Sequence, residues 1–244
     1  MLRLSDAELI DVWSRGSSRH ALDRALALFA LARASDEPAQ LADVSLPERD
    51  QALLALRCAN FGERLPAFVE CAGCGTRLEF ELDAALLRAA PPAATIDADG
   101  LRLRPPSTRD LALALRESDA SAARRRLAAR CRIADPGGDP GDPGDPGALD
   151  DTAVEAIESA LARADAAGEV LLDLECDACG HRWTSAFDIA AYLWEEVDAR
   201  ARRLIDEVDL LARAYGWTEP DVLALGATRR AAYLQRVLDA GAHA

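Results

Sequence analysis

The chain has 244 residues, 50% hydrophobic and 29% charged, a globular balance that excludes wholesale disorder. With 28 basic and 42 acidic residues its formal net charge is −14, which argues against sequence-independent nucleic-acid binding, because that affinity rests on neutralising phosphates. Every basic residue is arginine, so Schiff-base chemistry and a P-loop lysine are excluded. Aromatic residues make up only 5%, so leucine, alanine and valine must build most of the core. The longest apolar run, Ala25 to Ala32, falls well short of the roughly 20 residues a membrane span needs. The N-terminus carries no apolar signal core. The expected location is therefore the cytoplasm.

Ser5-Asp6-Ala7-Glu8 has capping-box spacing and predicts a short helix through Leu9, Ile10 and Trp13 that Gly16 interrupts. Leu22, Leu26, Phe29 and Ala30 predict a second helix over 21–33. A third starts near Pro47, where proline suits the first turn, and ends near Asn60-Phe61-Gly62. The pattern then changes. Between Pro66 and Asp83, Phe68 and Glu70, then Leu78, Phe80 and Leu82, fall at strand period, with Cys71 and Cys74 in the turn between two arms. Leu101 to Arg104 reads as a strand ended by Pro105-Pro106, and Ser107 to Arg132 reads as one helix opened by a Ser107/Asp110 capping box.

Residues 135–149, a run of Asp-Pro-Gly repeats, are expected to form a mobile acidic loop. A helix follows over 151–164, then a second hairpin over 169–187 with Cys176 and Cys179 in its turn. A long helix rich in charge spans 192–214 and stops at Gly216. Thr218 and Pro220 open a short helix broken by Gly226, and 228–239 is the last. On the long helix, Glu195, Glu196, Asp198, Asp206, Glu207 and Asp209 alternate with arginines; a solvated face with ion pairs four residues apart accounts for them.

The hairpins are related. Glu70-Cys71-x-x-Cys74-Gly75-x-Arg77 matches Glu175-Cys176-x-x-Cys179-Gly180-x-Arg182, and Asp83-Ala84 recurs at the same offset as Asp188-Ile189. Two thiolates from one tight turn bind a metal without strain, and two such knuckles supply the four ligands of a tetrahedral zinc site. Cys71, Cys74, Cys176 and Cys179 are thus the candidate ligands of one structural Zn2+, closed to substrate. Since 101 residues separate Cys74 from Cys176, loop closure costs roughly 4 kcal/mol, against on the order of 10–16 kcal/mol from structural zinc. Iron in the same four-thiolate geometry, two independent redox dithiols, and disulfides of a secreted protein are the alternatives. A redox Cys-x-x-Cys belongs at a helix N-terminus rather than in a hairpin. Cys58 and Cys131 read as buried small hydrophobes. His181 reads as an exposed hairpin residue, with ligation or a bond to sulfur the alternative; His20 and His243 read as helix-surface and tail residues. No catalytic motif is present: there is no G-x-S-x-G, no H-E-x-x-H and no Gly-rich phosphate loop.

Three stretches carry a resemblance: Leu46-Pro-Glu-Arg-Asp-Gln-Ala-Leu-Leu-Ala-Leu-Arg57 with Phe61-Gly62; Leu101-Arg-Leu-Arg-Pro-Pro-Ser-Thr-Arg-Asp-Leu111; and Ala214-Tyr-Gly-Trp-Thr-Glu-Pro-Asp-Val-Leu-Ala-Leu225 with Arg229-Arg230 and Tyr233-Leu234. Together they resemble the baseplate protein family of T-even-type phages, in its version found in phage-tail-like contractile injection systems. Pro105-Pro106 departs from the single proline the family pattern leads one to expect. The resemblance implies a non-enzymatic baseplate hub assembly chaperone or baseplate component, with baseplate and hub proteins as partners and no small-molecule substrate. Trp217, Arg229, Arg230 and Tyr233 are the candidate partner contacts; for Trp217, a core residue closing the helix turn is the alternative. A zinc-ribbon adaptor for nucleic acid or transcription machinery, and a dithiol redox protein, are the competing functions.

The expected architecture is α+β and mostly helical. An N-terminal helical region covers 1–62. The duplicated zinc-knuckle hairpins cover 63–190 and form one zinc ribbon, with a helical insertion at 107–165 and the 135–149 loop inside it. A C-terminal helical region covers 191–244.

Overall fold

Helix starts coincide with side chains that can satisfy the first free amides. In the computed structural model, which describes residues 3–34, 38–88, 94–98, 100–133, 149–164 and 170–241, Ser5 closes a full capping box with Glu8 at the start of α1 (Asp6–Gly16). His20 caps α2 (Ala21–Arg33), accepting the Leu22 amide on Nδ1 at 3.2 Å. A short α3 (Pro38–Leu41) precedes α4 (Leu46–Phe61), which Ser45 caps and Pro47 enters in the first turn. The 135–149 loop, apart from Leu149, and His243 lie outside the described residues.

The first hairpin pairs β1 (Arg64–Glu70) with β2 (Arg77–Asp83), and its second copy pairs β5 (Val170–Glu175) with β6 (Arg182–Phe187). Each runs into an Asp-capped helix. Asp83 takes the Ala85 amide at 2.9 Å to start α5 (Ala84–Leu87), and Asp188 takes the Ala190 amide at 2.8 Å to start α9 (Ile189–Tyr215). The duplication therefore spans strand, turn, strand and helix start. α10 (Glu219–Leu223) and α11 (Ala227–Gly241) follow.

Two features between the hairpins depart from expectation. The helix expected over 107–132 is two helices, α6 (Thr108–Ala114) and α7 (Ala120–Cys131). Asp119 breaks it by accepting the Ala122 amide at 2.8 Å, making a new N-cap, and a Glu117–Arg126 ion pair bridges the corner. The strand at 101–104 also has a partner that alternation did not reveal. β3 (Ile96–Ala98) pairs antiparallel with β4 (Leu101–Leu103) across a turn whose Gly100 sits at φ +79°. Three residues are too few for a period-2 pattern. α8 (Asp151–Ala164) completes the insertion.

The described residues form two apolar clusters. The larger joins α1, α2 and α4 to α9 through Leu9, Val12, Leu28, Phe29, Leu53, Leu54, Leu193 and Val197. The regions 1–62 and 191–244 thus share one core, with α9, roughly 40 Å long, as its spine. The smaller, of Ile96, Leu103, Ala128, Val154 and Ile157, joins the β3–β4 pair to α7 and α8. No described helix is long and apolar enough to cross a membrane.

Candidate metal centre

Each knuckle is folded by its own backbone. In the first, the Cys71 amide donates to Thr76 O at 2.9 Å and the Gly75 amide to Cys71 O at 2.8 Å. In the second, Cys176 N donates to His181 O at 2.9 Å and Gly180 N to Cys176 O at 2.7 Å. Gly75 and Gly180 hold φ of +74° and +71°, the left-handed region that a side chain disfavours. Glu70 faces Arg77 and Glu175 faces Arg182 in register at the necks.

The turns bring the four sulfurs together: Cys71, Cys74, Cys176 and Cys179 have their Sγ atoms within 4.8 Å of one another and could hold one metal ion. Cys71 Sγ stands 3.7 Å from Cys179 Sγ, and Cys74 Sγ 3.6 Å from Cys176 Sγ. The first cysteine of each knuckle faces the second of the other, as a two-fold-like exchange of the two turns requires. A tetrahedron with metal–sulfur arms of about 2.3 Å has edges of about 3.8 Å, so these separations suit a shared ion. They are far beyond the roughly 2.05 Å of a disulfide. The same four thiolates suit zinc or iron.

Burial divides the ligands alike in both turns. Cys71 and Cys176 are buried; Cys74 and Cys179 are exposed. The Gly73 amide donates to Cys71 Sγ at 3.4 Å, an orienting bond of the kind that tunes metal thiolates. A β-carbon on Gly73 would stand 3.3 Å from His181 Cβ and 3.6 Å from Cys179 Sγ, so a small residue lets the knuckles close. His181 is exposed and stacks on Trp183 at 5.4 Å, outside the sulfur cluster. Bonding to the Thr76 hydroxyl and amide, and then to Cys179, draws the Cys74 thiol down to about 6. The His181 amide pulls the Cys179 thiol down, but the bond to Cys74, desolvation and the bonds to Cys71 and Cys176 push it up to about 12. Cys58 and Cys131 are buried elsewhere, and burial pushes Cys131 up to about 12, as inert thiols require.

The hairpin bases are tied to the helices by residues whose roles were not visible in the sequence. Arg57 of α4 is 1% exposed. Its Nε and Nη2 donate to the two Glu196 oxygens at 2.8 and 2.6 Å, and its Nη1 to the carbonyls of Gly62 and Arg64 at 2.8 and 2.7 Å. Tyr192 Oη donates to Pro66 O at 2.8 Å. Glu196 and Glu207 are therefore not simply solvated helix charges. Glu196 takes Arg57, and Glu207 takes Arg230 at 2.6 Å. The i,i+4 pattern holds for Asp198–Arg202 and Asp209–Arg213.

The expected partner contacts separate. Trp217 stacks on Tyr215 at 4.7 Å, and Tyr233 stands edge-on to Trp217 at 4.9 Å, with the exposed Arg229 5.8 Å from the Tyr233 ring. Arg230, by contrast, is 1% exposed. Its Nη2 donates to Asp6 at 2.5 Å and its Nη1 to Leu225 O at 3.1 Å. It docks α11 on α1 and α9 and presents no free guanidinium to a partner. No protein-family model, curated protein or solved structure matches the chain.

Proposed function

We propose that this protein is a non-enzymatic assembly chaperone or component of the baseplate hub in a phage-tail-like contractile injection system, held together by one structural zinc. The observation that supports the structural role is the cluster of four cysteine sulfurs. Four thiolates around one ion would complete a tetrahedral sphere and would leave no position for a substrate or an activated water. Zinc is the ion this reading assigns, since hairpin knuckles with four thiolates are its usual structural home.

The baseplate assignment rests on the resemblance of 46–62, 101–111 and 214–234 to that family. The Tyr215–Trp217–Tyr233 cluster with Arg229 supports a role in protein contacts, because tyrosine, tryptophan and arginine dominate interface hot spots. A net charge of −14 also suits a chain that must keep an assembly intermediate soluble. On this reading the protein acts in the cytoplasm or within the particle, on baseplate and hub subunits.

Deletion of the gene in its host, with negative-stain electron microscopy of particle preparations, tests the proposal. Loss of sheathed particles, restored on complementation, is the expected result, and mass spectrometry of wild-type particles then separates component from chaperone. Normal contractile particles in the deletion strain would overturn the reading and put a zinc-ribbon adaptor first.

A further inference from the structure

Between the two apolar clusters lies a cleft of about 340 Å³, remote in role from the metal centre. Leu46 at the start of α4, Phe187 at the end of β6, Ile96 of β3, Leu161 of α8 and Pro106 line it. The clusters are bridged beside it by main-chain bonds, from the Leu46 amide to Pro106 O at 2.8 Å and from the Arg109 amide to Ala42 O at 2.9 Å. A cleft of this size, apolar and set between two packed units, is where small ligands most often bind.

Its charged groups are unbalanced. Among the described residues, Arg49, Asp50 and Asp188 line the cleft, one cation against two carboxylates. Arg49 is buried and directs both Nε and Nη2 to a single oxygen of Asp50, Oδ1, at 2.8 and 2.7 Å, while its Nη1 donates to Thr108 Oγ1 at 3.1 Å. The guanidinium therefore leaves the second oxygen of Asp50 to other donors. Asp188 accepts the Ala190 and Ala191 amides on Oδ1 at 2.8 and 3.1 Å. Burial raises the Asp50 carboxyl, Arg49 opposes this, and the Asp188 charge adds to the rise; the net shift is upward. An anion would face two carboxylates here, and a neutral apolar body would bury Asp50 further without compensation.

We propose that this cleft binds a small organic cation, an ammonium or guanidinium group on an apolar body. The charge sits between Asp50 and Asp188, and the body lies against Ile96, Leu161 and Phe187. The site depends neither on the metal nor on the baseplate reading.

Ligand-observed NMR titration of the full-length, metal-loaded protein with n-hexylamine and n-hexanol tests this, since the two probes share a chain and differ in charge. Hexylamine binds at least about ten-fold tighter than hexanol. Asp50→Asn removes that preference. Ala162→Phe, at an exposed lining position whose side chain carries no polar atom, weakens both probes. Equal binding of the two probes to the wild type, no hexylamine binding, a preference that survives Asp50→Asn, or hexylamine binding unchanged by Ala162→Phe would each overturn the proposal. If Asp50→Asn does not fold, the wild-type preference and the Ala162→Phe titration decide it.

Discussion

Gly16, the last residue of α1, lies against the indole of Trp194 on α9: a β-carbon at Gly16 would stand 2.5 Å from Trp194 Cη2 and 2.7 Å from its Cζ3. Trp194 is itself buried, with Arg24 4.8 Å from its ring centre. The packing of the N-terminal helix against the spine of the fold at this point thus depends on a missing side chain. Gly16→Ala should destabilise by about 1–3 kcal/mol through overpacking, despite alanine's better helix propensity. Urea unfolding measures this, and in a Gly16→Ala/Trp194→Phe double mutant the losses should be less than additive.

The metal site makes a sharper prediction. Cys176→Ser should release the ion and lower stability by several kcal/mol, because the binding energy of a structural metal is folding energy. Cys58→Ser, outside the sulfur cluster, should keep a stoichiometric ion. Metal analysis by plasma mass spectrometry and a thermal melt, with and without chelator, read both. A Cys176→Ser protein with full metal and an unchanged melting temperature would remove the metal claim.

Asp110 predicts acid sensitivity in the insertion. Burial alone would raise its carboxyl, but the Arg104 guanidinium, the Ser107 amide, Arg130 and the Ser107 hydroxyl together hold it down at about 2. Arg104 Nη1 lies 2.6 Å and Arg130 Nε 2.9 Å from its two oxygens, and the side chain is fully buried. The folded-state value lies below the unfolded one of about 3.9. The stabilisation, about 2 kcal/mol, is therefore complete above the unfolded value and is lost as pH falls from about 4 towards 2. Asp110→Asn should flatten that part of the stability–pH curve measured by urea unfolding.

Arg230 should be intolerant of substitution for a structural reason. Arg230→Ala leaves Asp6 and Glu207, which Arg200 alone then approaches at 3.2 and 3.8 Å. A cost on the order of 3 kcal/mol follows from breaking so buried a pair, and lysine cannot restore the fork. Hydrogen exchange should show α11 amides losing protection before those of α4. Arg229→Ala, on the exposed side of the same helix, should leave stability nearly unchanged.

The features legible along the chain are those that short-range chemistry controls. Capping boxes at Ser5, Ser107 and Thr218 mark helix starts because the bond closes within three residues. The knuckles are legible because two cysteines and a left-handed glycine define a turn whatever surrounds it, and the repeat shows that two exist. Tertiary structure alone decided the rest. The Cys71–Cys179 and Cys74–Cys176 facing, the second apolar cluster and the β3 partner of β4 depend on contacts that no local period records. Phe68 lies on the outer face, 59% exposed with Arg77 3.8 Å over its ring, because register sets which face a strand residue takes. Arg57 and Glu196, 139 positions apart, look like ordinary helix charges in the sequence. So does Arg230, 224 positions from Asp6. Each reads as surface until packing removes water and leaves the opposite charge as its partner, and that is a property of the folded chain.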